Sequence, residues 1–202
     1  MSINTHTWNK WRYTLYAPIY NVIKGVFASS RKKSIDQLQG KVGQKVLIVG
    51  AGTGLDIPYF PEGMHITATD ITPAMVRKIQ NDYPQNNIAA QIMNGLDLQF
   101  PDASFDFVVL HLILAVMPNP ELCVKEVERV LKPGGKVAVF DKFVPPHTKP
   151  TIFRKFGNAI TTTLFSDITR DIYEMIKGTS FRVISDTPAN YKGVFRVLLL
   201  EK

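Results

Sequence analysis

The sequence predicts an α/β fold: an open, mostly parallel sheet with helices on both faces and a helical extension at the N-terminus. Three observations carry this. The apolar run Val46-Leu47-Ile48-Val49 ends in glycines at every second position, Gly50, Gly52 and Gly54. The run His65-Ile66-Thr67-Ala68-Thr69 closes on a lone acid, Asp70, sixteen residues after Gly54. Further apolar runs then alternate with helix-length segments, the pattern of a sheet covered on both faces.

In chain order, the first forty residues are basic and aromatic. Positions 8, 11, 15, 19, 22 and 26 (Trp, Trp, Leu, Ile, Val, Val) follow helical spacing. Pro18 divides this run into two helices, since proline suits a first turn and not an interior. From residue 41 the pattern becomes regular. Strand 46–49 leads through the glycine turn to a short helix, and strand 65–70 follows. A helix runs from Pro73 to about Tyr83, with Thr72 as N-cap and Pro73 at its first position. Strands 88–93 and 106–112 come next, then a helix from about Pro120 to Leu131. Lys132-Pro133-Gly134-Gly135 reads as a helix stop and turn before strand 136–141. Segment 145–165 reads as an insertion over the site. A helix over 167–177 and strands near 181–186 and 194–200 close the chain.

A strand, a glycine turn, a helix and a second strand tipped by an acid bind an adenosine-containing ligand in such a sheet. The glycines let the backbone approach the ligand, and the acid accepts from ribose hydroxyls. A dinucleotide fingerprint needs Gly-x-Gly-x-x-Gly, but Leu55 stands where the third glycine would be. No lysine follows, as a phosphate loop would require. The ligand crevice lies outside the carboxyl ends of the strands. Gly50, Asp70, Asn94 and His111 all fall at or just beyond those ends.

The 202 residues form one domain's worth of core, with hydrophobic and charged contents ordinary for a globular protein. The single cysteine, Cys123, excludes an internal disulfide, fits a reducing cytoplasm, and reads as a small core residue. The longest apolar stretch, 107–117, is interrupted by His111 and is too short to cross a bilayer. These features give a cytoplasmic protein, soluble or peripheral at the inner face of the membrane. The net charge of +7 sits wholly in residues 1–45, which hold eight Lys/Arg against Asp36 alone. Such asymmetry implies an anionic partner for the extension. A basic amphipathic helix with Trp8 and Trp11 on its apolar face suits a membrane interface through residues 1–27, or a lid on the domain. Nucleic acid is not expected, because a phosphate track would spread its charge more widely.

Gly50-x-Gly52-x-Gly54 resembles motif I of the class I methyltransferases, which use S-adenosylmethionine (SAM). Phe100-Pro101-Asp102-Ala103-Ser104-Phe105-Asp106 and Arg129-Val130-Leu131-Lys132-Pro133-Gly134-Gly135 resemble two further stretches of the ubiquinone/menaquinone-type members. Tyr16-Ala17-Pro18-Ile19-Tyr20-Asn21, Arg31-Lys32-Lys33 and Thr169-Arg170-Asp171 are similar to the soluble bacterial phosphatidylethanolamine N-methyltransferases. The resemblance implies a Rossmann-like class I fold with a seven-stranded sheet, over a domain from 41 to 202 behind the 1–40 extension. It implies that Gly50, Ala51, Gly52 and Gly54 line the methionine end of SAM. Asp70 would hold the ribose, Ile71 would pack on the adenine, and Asn94, Gly95 and Leu96 would contact the adenine edge. Three positions depart from the family pattern: Ile48 and Asn94 each replace an acid, and Asn21 replaces the aspartate of a Tyr-Asp pair.

Methyl transfer from a sulfonium is an in-line displacement in which the protein supplies proximity and excludes water. No metal is called for, and the four histidines lack metal-ligand spacing. His111 is placed beside the transferable methyl, as a base for the acceptor's proton or as a strand-end side chain that packs. Tyr16 and Tyr20 are placed to close over the site, or to pack within a lid helix. The acceptor reads as a membrane-associated lipid, a phospholipid amine or quinone precursor. The alternatives are a soluble thiol or amine, or a SAM-fold binding protein without activity.

Overall fold

A computed structural model of the chain describes residues 25, 27–144, 170–189 and 193–202. In order these form α1 (Ala28–Asp36), β1 (Lys45–Val49), β2 (His65–Asp70), α2 (Pro73–Asp82), β3 (Ile88–Ile92) and β4 (Phe105–His111). There follow α3 (Pro120–Val130), β5 (Leu131–Lys142), α4 (Ile172–Met175), β6 (Arg182–Pro188) and β7 (Phe195–Glu201). The strands make one seven-stranded sheet of order β3-β2-β1-β4-β5-β7-β6. β1 pairs in parallel with β2 and β4, and only β7 runs antiparallel, against both β5 and β6. This is the mostly parallel sheet that the alternation of elements implied, with the seven strands and Rossmann-like order that the family resemblance implied. The helices expected before residue 25 and the insertion over 145–165 lie outside the described residues.

Side-chain alternation along the central strands builds two cores. Val46 and Ile48 of β1 pack with Val109, Ala138 and, from α2, Ile79. Leu47 and Val49 point the other way, into a layer with Leu110, Val139 and the α3 residues Cys123, Val124 and Val127. Both faces are covered, so β1 is an unbroken apolar run rather than an alternating one. The Cys123 thiol is buried and pushed up to about 12 by that burial and by Glu126, which makes it inert.

Two stretches depart from the sequence reading. The helix expected after the glycine turn is a single 3-10 turn, Ile57–Tyr59. Pro58 offers no N–H, and Pro61 forces Phe60 into an extended conformation, so the turn cannot propagate. The expected turn at Lys132–Gly135 is absorbed into the start of β5. Leu131 already pairs with Phe105, the register then shifts, and Lys136 pairs with Phe107. The helix expected over 167–177 is described only from residue 170. Its one described turn, Ile172–Met175, is capped by Asp171, which accepts from Tyr173 N at 2.9 Å.

The two motif stretches beside β4 and β5 brace each other. Arg129 donates to the Leu98 and Phe100 carbonyls, at 2.6 and 2.7 Å, and pairs with Asp102 and Glu126. Glu126 in turn accepts from Leu98 N. Lys132 pairs with Asp106 at 2.6 Å, and Asp106 also accepts from Lys45 N. These residues fix the base of the sheet, far from its carboxyl ends.

Candidate active site

Strand order reverses between β1 and β4, and the crevice that opens there is the ligand site of such sheets. A cavity of about 240 Å³ occupies it. Gly50, Ala51 and Gly52 line it after β1, Asp70 and Ile71 after β2, Asn94, Gly95 and Leu96 after β3, and His111 at the end of β4. Gly54 stands behind this wall. Its φ is +80°, and a Cβ there would lie 3.0 Å from Ile57 and Tyr83.

The glycine turn is held by its own backbone and by Asp70. Ala51 N donates to Thr69 O, Gly52 N to Asp70 Oδ2 at 2.9 Å, and Thr72 N to Asp70 Oδ1 at 2.8 Å. Each carboxylate oxygen keeps a lone pair for a further donor. Gly50 has φ +67°, and a Cβ there would lie 2.5 Å from Ile113. A Cβ at Gly95 would lie 2.5 Å from Met117 and 2.7 Å from Val49. At both positions the protein's own packing already demands glycine. Asn94 Oδ1 accepts from Leu96 N at 3.1 Å, folding the chain after β3 into a tight turn. Ile71 is 39 % exposed, an apolar face presented to the cavity.

At the other end of the cavity α1 brings in a buried polar chain. Arg31 Nη1 donates to both oxygens of Asp56, each at 2.8 Å. His111 Nδ1 lies 2.7 Å from Asp56 Oδ1, and its Nε2 lies 2.9 Å from Ser34 Oγ. All four side chains are buried. Burial acts to raise the Asp56 carboxyl, but His111 and Arg31 beside it bring it down to about 2. Both His111 nitrogens therefore serve protein partners.

The loop after β4 forms the apolar wall, through Leu112, Ile113, Val116 and Met117. Leu112 adopts φ +58°, unusual for a branched residue, and the surroundings hold it there. Asp141, a buried carboxylate whose pKa burial raises, accepts from Ala115 N at 3.0 Å. Arg170 donates to the Leu114 and Met117 carbonyls.

The fold thus gathers Gly50, Ala51, Gly52, Asp70, Ile71, Asn94, Gly95, Leu96 and His111 around one cavity, while Tyr16 and Tyr20 lie outside the described residues. Sequence reasoning did not single out Ser34, Asp56 or Asp141. Asp56 carries no motif, and its partners are 25 and 55 residues away. Arg31 and Arg170 stood only within short stretches of family likeness.

The chemistry of this wall fits SAM. Asp70 retains acceptors for a ribose diol, Ile71 offers a flat apolar contact, and Asn94 offers an amide to an adenine edge. SAM would supply the electrophilic methyl. The sequence matches the methyltransferase-domain family over residues 47–139. The chain is 26% identical to a phosphatidylethanolamine N-methyltransferase of Cereibacter sphaeroides, over 88% of this chain and 89% of that protein. It is 35% identical to a demethylmenaquinone methyltransferase of Tropheryma whipplei, over 57% of this chain and 51% of that protein. A methyltransferase structure from Bacillus halodurans superposes with a TM-score of 0.72, at 18% identity, over 86% of this chain and 99% of that one. The sheet has the class I methyltransferase fold, and with this glycine turn and these relatives the chain is a SAM-dependent methyltransferase.

Proposed function

We propose that the chain methylates the amine of a phospholipid, in phosphatidylethanolamine-type N-methylation. The observation that carries this reading is the length of one likeness. The C. sphaeroides phosphatidylethanolamine N-methyltransferase aligns along nearly the whole of both chains, whereas the menaquinone relative aligns over 57% of this chain and 51% of its own length. The basic extension with Trp8 and Trp11 supports the same reading, because a lipid acceptor must be met at an anionic surface. Among the described residues no helix is long and apolar enough to cross a membrane, so contact would be made from one side.

Displacement at a methyl carbon needs the acceptor nitrogen held close, in line and dry. Leu112, Ile113, Val116 and Met117 exclude water from the reacting end of the cavity. The amine gives up one proton as its new C–N bond forms. With both ring nitrogens of His111 engaged, that proton passes to solvent or to the lipid's own phosphate, and His111 orders the floor of the site. Tyr16 and Tyr20 belong to this proposal as aromatic faces over a cationic head group.

The test is incubation with methyl-labelled SAM and a membrane lipid extract, followed by identification of the labelled product. Label in N-methylated phosphatidylethanolamine is expected. Label in a quinone precursor, or only in water-soluble thiols or amines, would overturn the lipid-amine reading and leave the methyltransferase standing.

A further inference from the structure

The cavity is bipolar. Among the described residues its wall carries two charged side chains, Asp70 at the tip of β2 and Arg31 beside the tip of β4. β1 lies between those strands, so the two groups are separated by about two inter-strand spacings, roughly 10 Å. Arg31 does not spend its whole guanidinium on Asp56. Both bonds leave from Nη1, and among the described residues Nη2 and Nε donate to no protein acceptor. No buried side-chain nitrogen or oxygen among the described residues lacks a partner, so these two nitrogens keep solvent access, on a side chain that lines the cavity. Asp56, buried and held ionised, fixes the guanidinium in place. Near the end of β1, Ile48 offers no charge to an ammonium group and is buried in the core.

We propose that Arg31 anchors the carboxylate of the cofactor's amino-acid end. The sheet dictates the direction. Asn94 and Ile71 follow β3 and β2, Asp70 tips β2, the glycine turn follows β1, and Arg31 stands over β4. Adenine, ribose and amino acid laid across the sheet in that order bring the carboxylate to Arg31. A guanidinium fork meets a carboxylate through two parallel hydrogen bonds, which an ammonium group cannot match. In this site the cofactor is recognised at that end by its negative charge, and Asp56 is a positioning residue for Arg31. The inference does not depend on which acceptor is methylated.

Calorimetry on the full chain tests this without any turnover. Two ligands are compared across the variants, S-adenosylhomocysteine and methylthioadenosine, which lacks the amino-acid group, and decarboxylated S-adenosylhomocysteine is added for the wild type. Arg31→Gln should weaken S-adenosylhomocysteine roughly tenfold or more, the scale of a hydrogen bond to a charged group, and leave methylthioadenosine within about twofold. Arg31→Lys, which still offers Asp56 a cation, should fall between. Should Arg31→Gln fail to fold, the wild-type chain gives the answer alone: S-adenosylhomocysteine should bind roughly tenfold tighter than its decarboxylated analogue. Equal loss for both ligands, no loss for either, or a wild type indifferent to the carboxylate would overturn the proposal. So would an Arg31→Gln protein that binds S-adenosylhomocysteine normally but no longer responds to phospholipid vesicles, which would give Arg31 to the lipid phosphate.

Discussion

His111 and Asp56 lie 55 residues apart in sequence and 2.7 Å apart in the fold, joined at Nδ1 and Oδ1. Through this contact the end of β4, the segment after the glycine turn and helix α1 form one unit. Arg31 and Ser34 complete it from α1. The residues 28–36 that carry them lie within the basic extension, yet they are built into the floor of the cavity.

This unit gives stability a pH dependence of definite sign. Asp56 is lowered from its ordinary 3.8 to about 2 in the folded chain. Its contribution is therefore present above pH 4 and lost as pH falls through about 2. The loss should be on the order of 2 kcal/mol, and Asp56→Asn should lack it. Urea unfolding of both proteins between pH 5 and pH 2 measures this. Parallel acid limbs would contradict the assignment.

Arg129 is a structural brace and not a site residue. Arg129→Ala frees the Leu98 and Phe100 carbonyls and breaks the pairs with Asp102 and Glu126. It should cost about 2 kcal/mol in denaturant unfolding. Affinity for S-adenosylhomocysteine should stay near wild type in the folded fraction.

Gly50 carries two separable requirements, a left-handed φ and room beside Ile113. Gly50→Ala should destabilise by about 1–2 kcal/mol from the backbone alone, and by more from the clash. In the presence of Ile113→Ala, most of the clash should be relieved, because only the 3.2 Å contact to the Cβ of residue 113 stays, while the backbone part remains. A thermal-melt double-mutant cycle separates them, and strict additivity would show that the close approach is harmless.

The parallel core was legible because its signals are local. A continuous apolar run means a strand covered on both faces, and the Gly50–Gly54 turn followed by Asp70 places the crevice. The Arg31–Asp56–His111–Ser34 chain was not legible, because it is made by tertiary approach between residues without a shared motif. The merger of Lys132–Gly135 into β5 was hidden for a related reason: strand pairing with Phe105 overrides the turn signal of Pro133-Gly134-Gly135. Ile48 shows the opposite case. It departs from the family's acid, and in the fold it is a buried core residue, while the charge opposite Asp70 in the cavity wall is Arg31.

Trp8 and Trp11 are the only tryptophans in the chain, so their emission reports on the extension alone. On adding anionic vesicles it should shift to the blue, and less so at high salt, since each Lys/Arg near the surface contributes on the order of 1 kcal/mol that salt screens. Deleting residues 1–15 should remove vesicle binding and leave S-adenosylhomocysteine binding largely intact. Emission that is already blue and unresponsive to lipid would make the extension a lid over a soluble acceptor.

We propose that the cofactor lies across the tips of β2, β1 and β4 with Asp70 as its ribose anchor. Calorimetric titration of S-adenosylhomocysteine into wild type and Asp70→Ala tests it most directly. One site per chain is expected in wild type, weakened by about 1.5–3 kcal/mol, or tenfold and more, in the variant. Absence of binding to wild type, or undiminished binding to a folded Asp70→Ala chain, would contradict it.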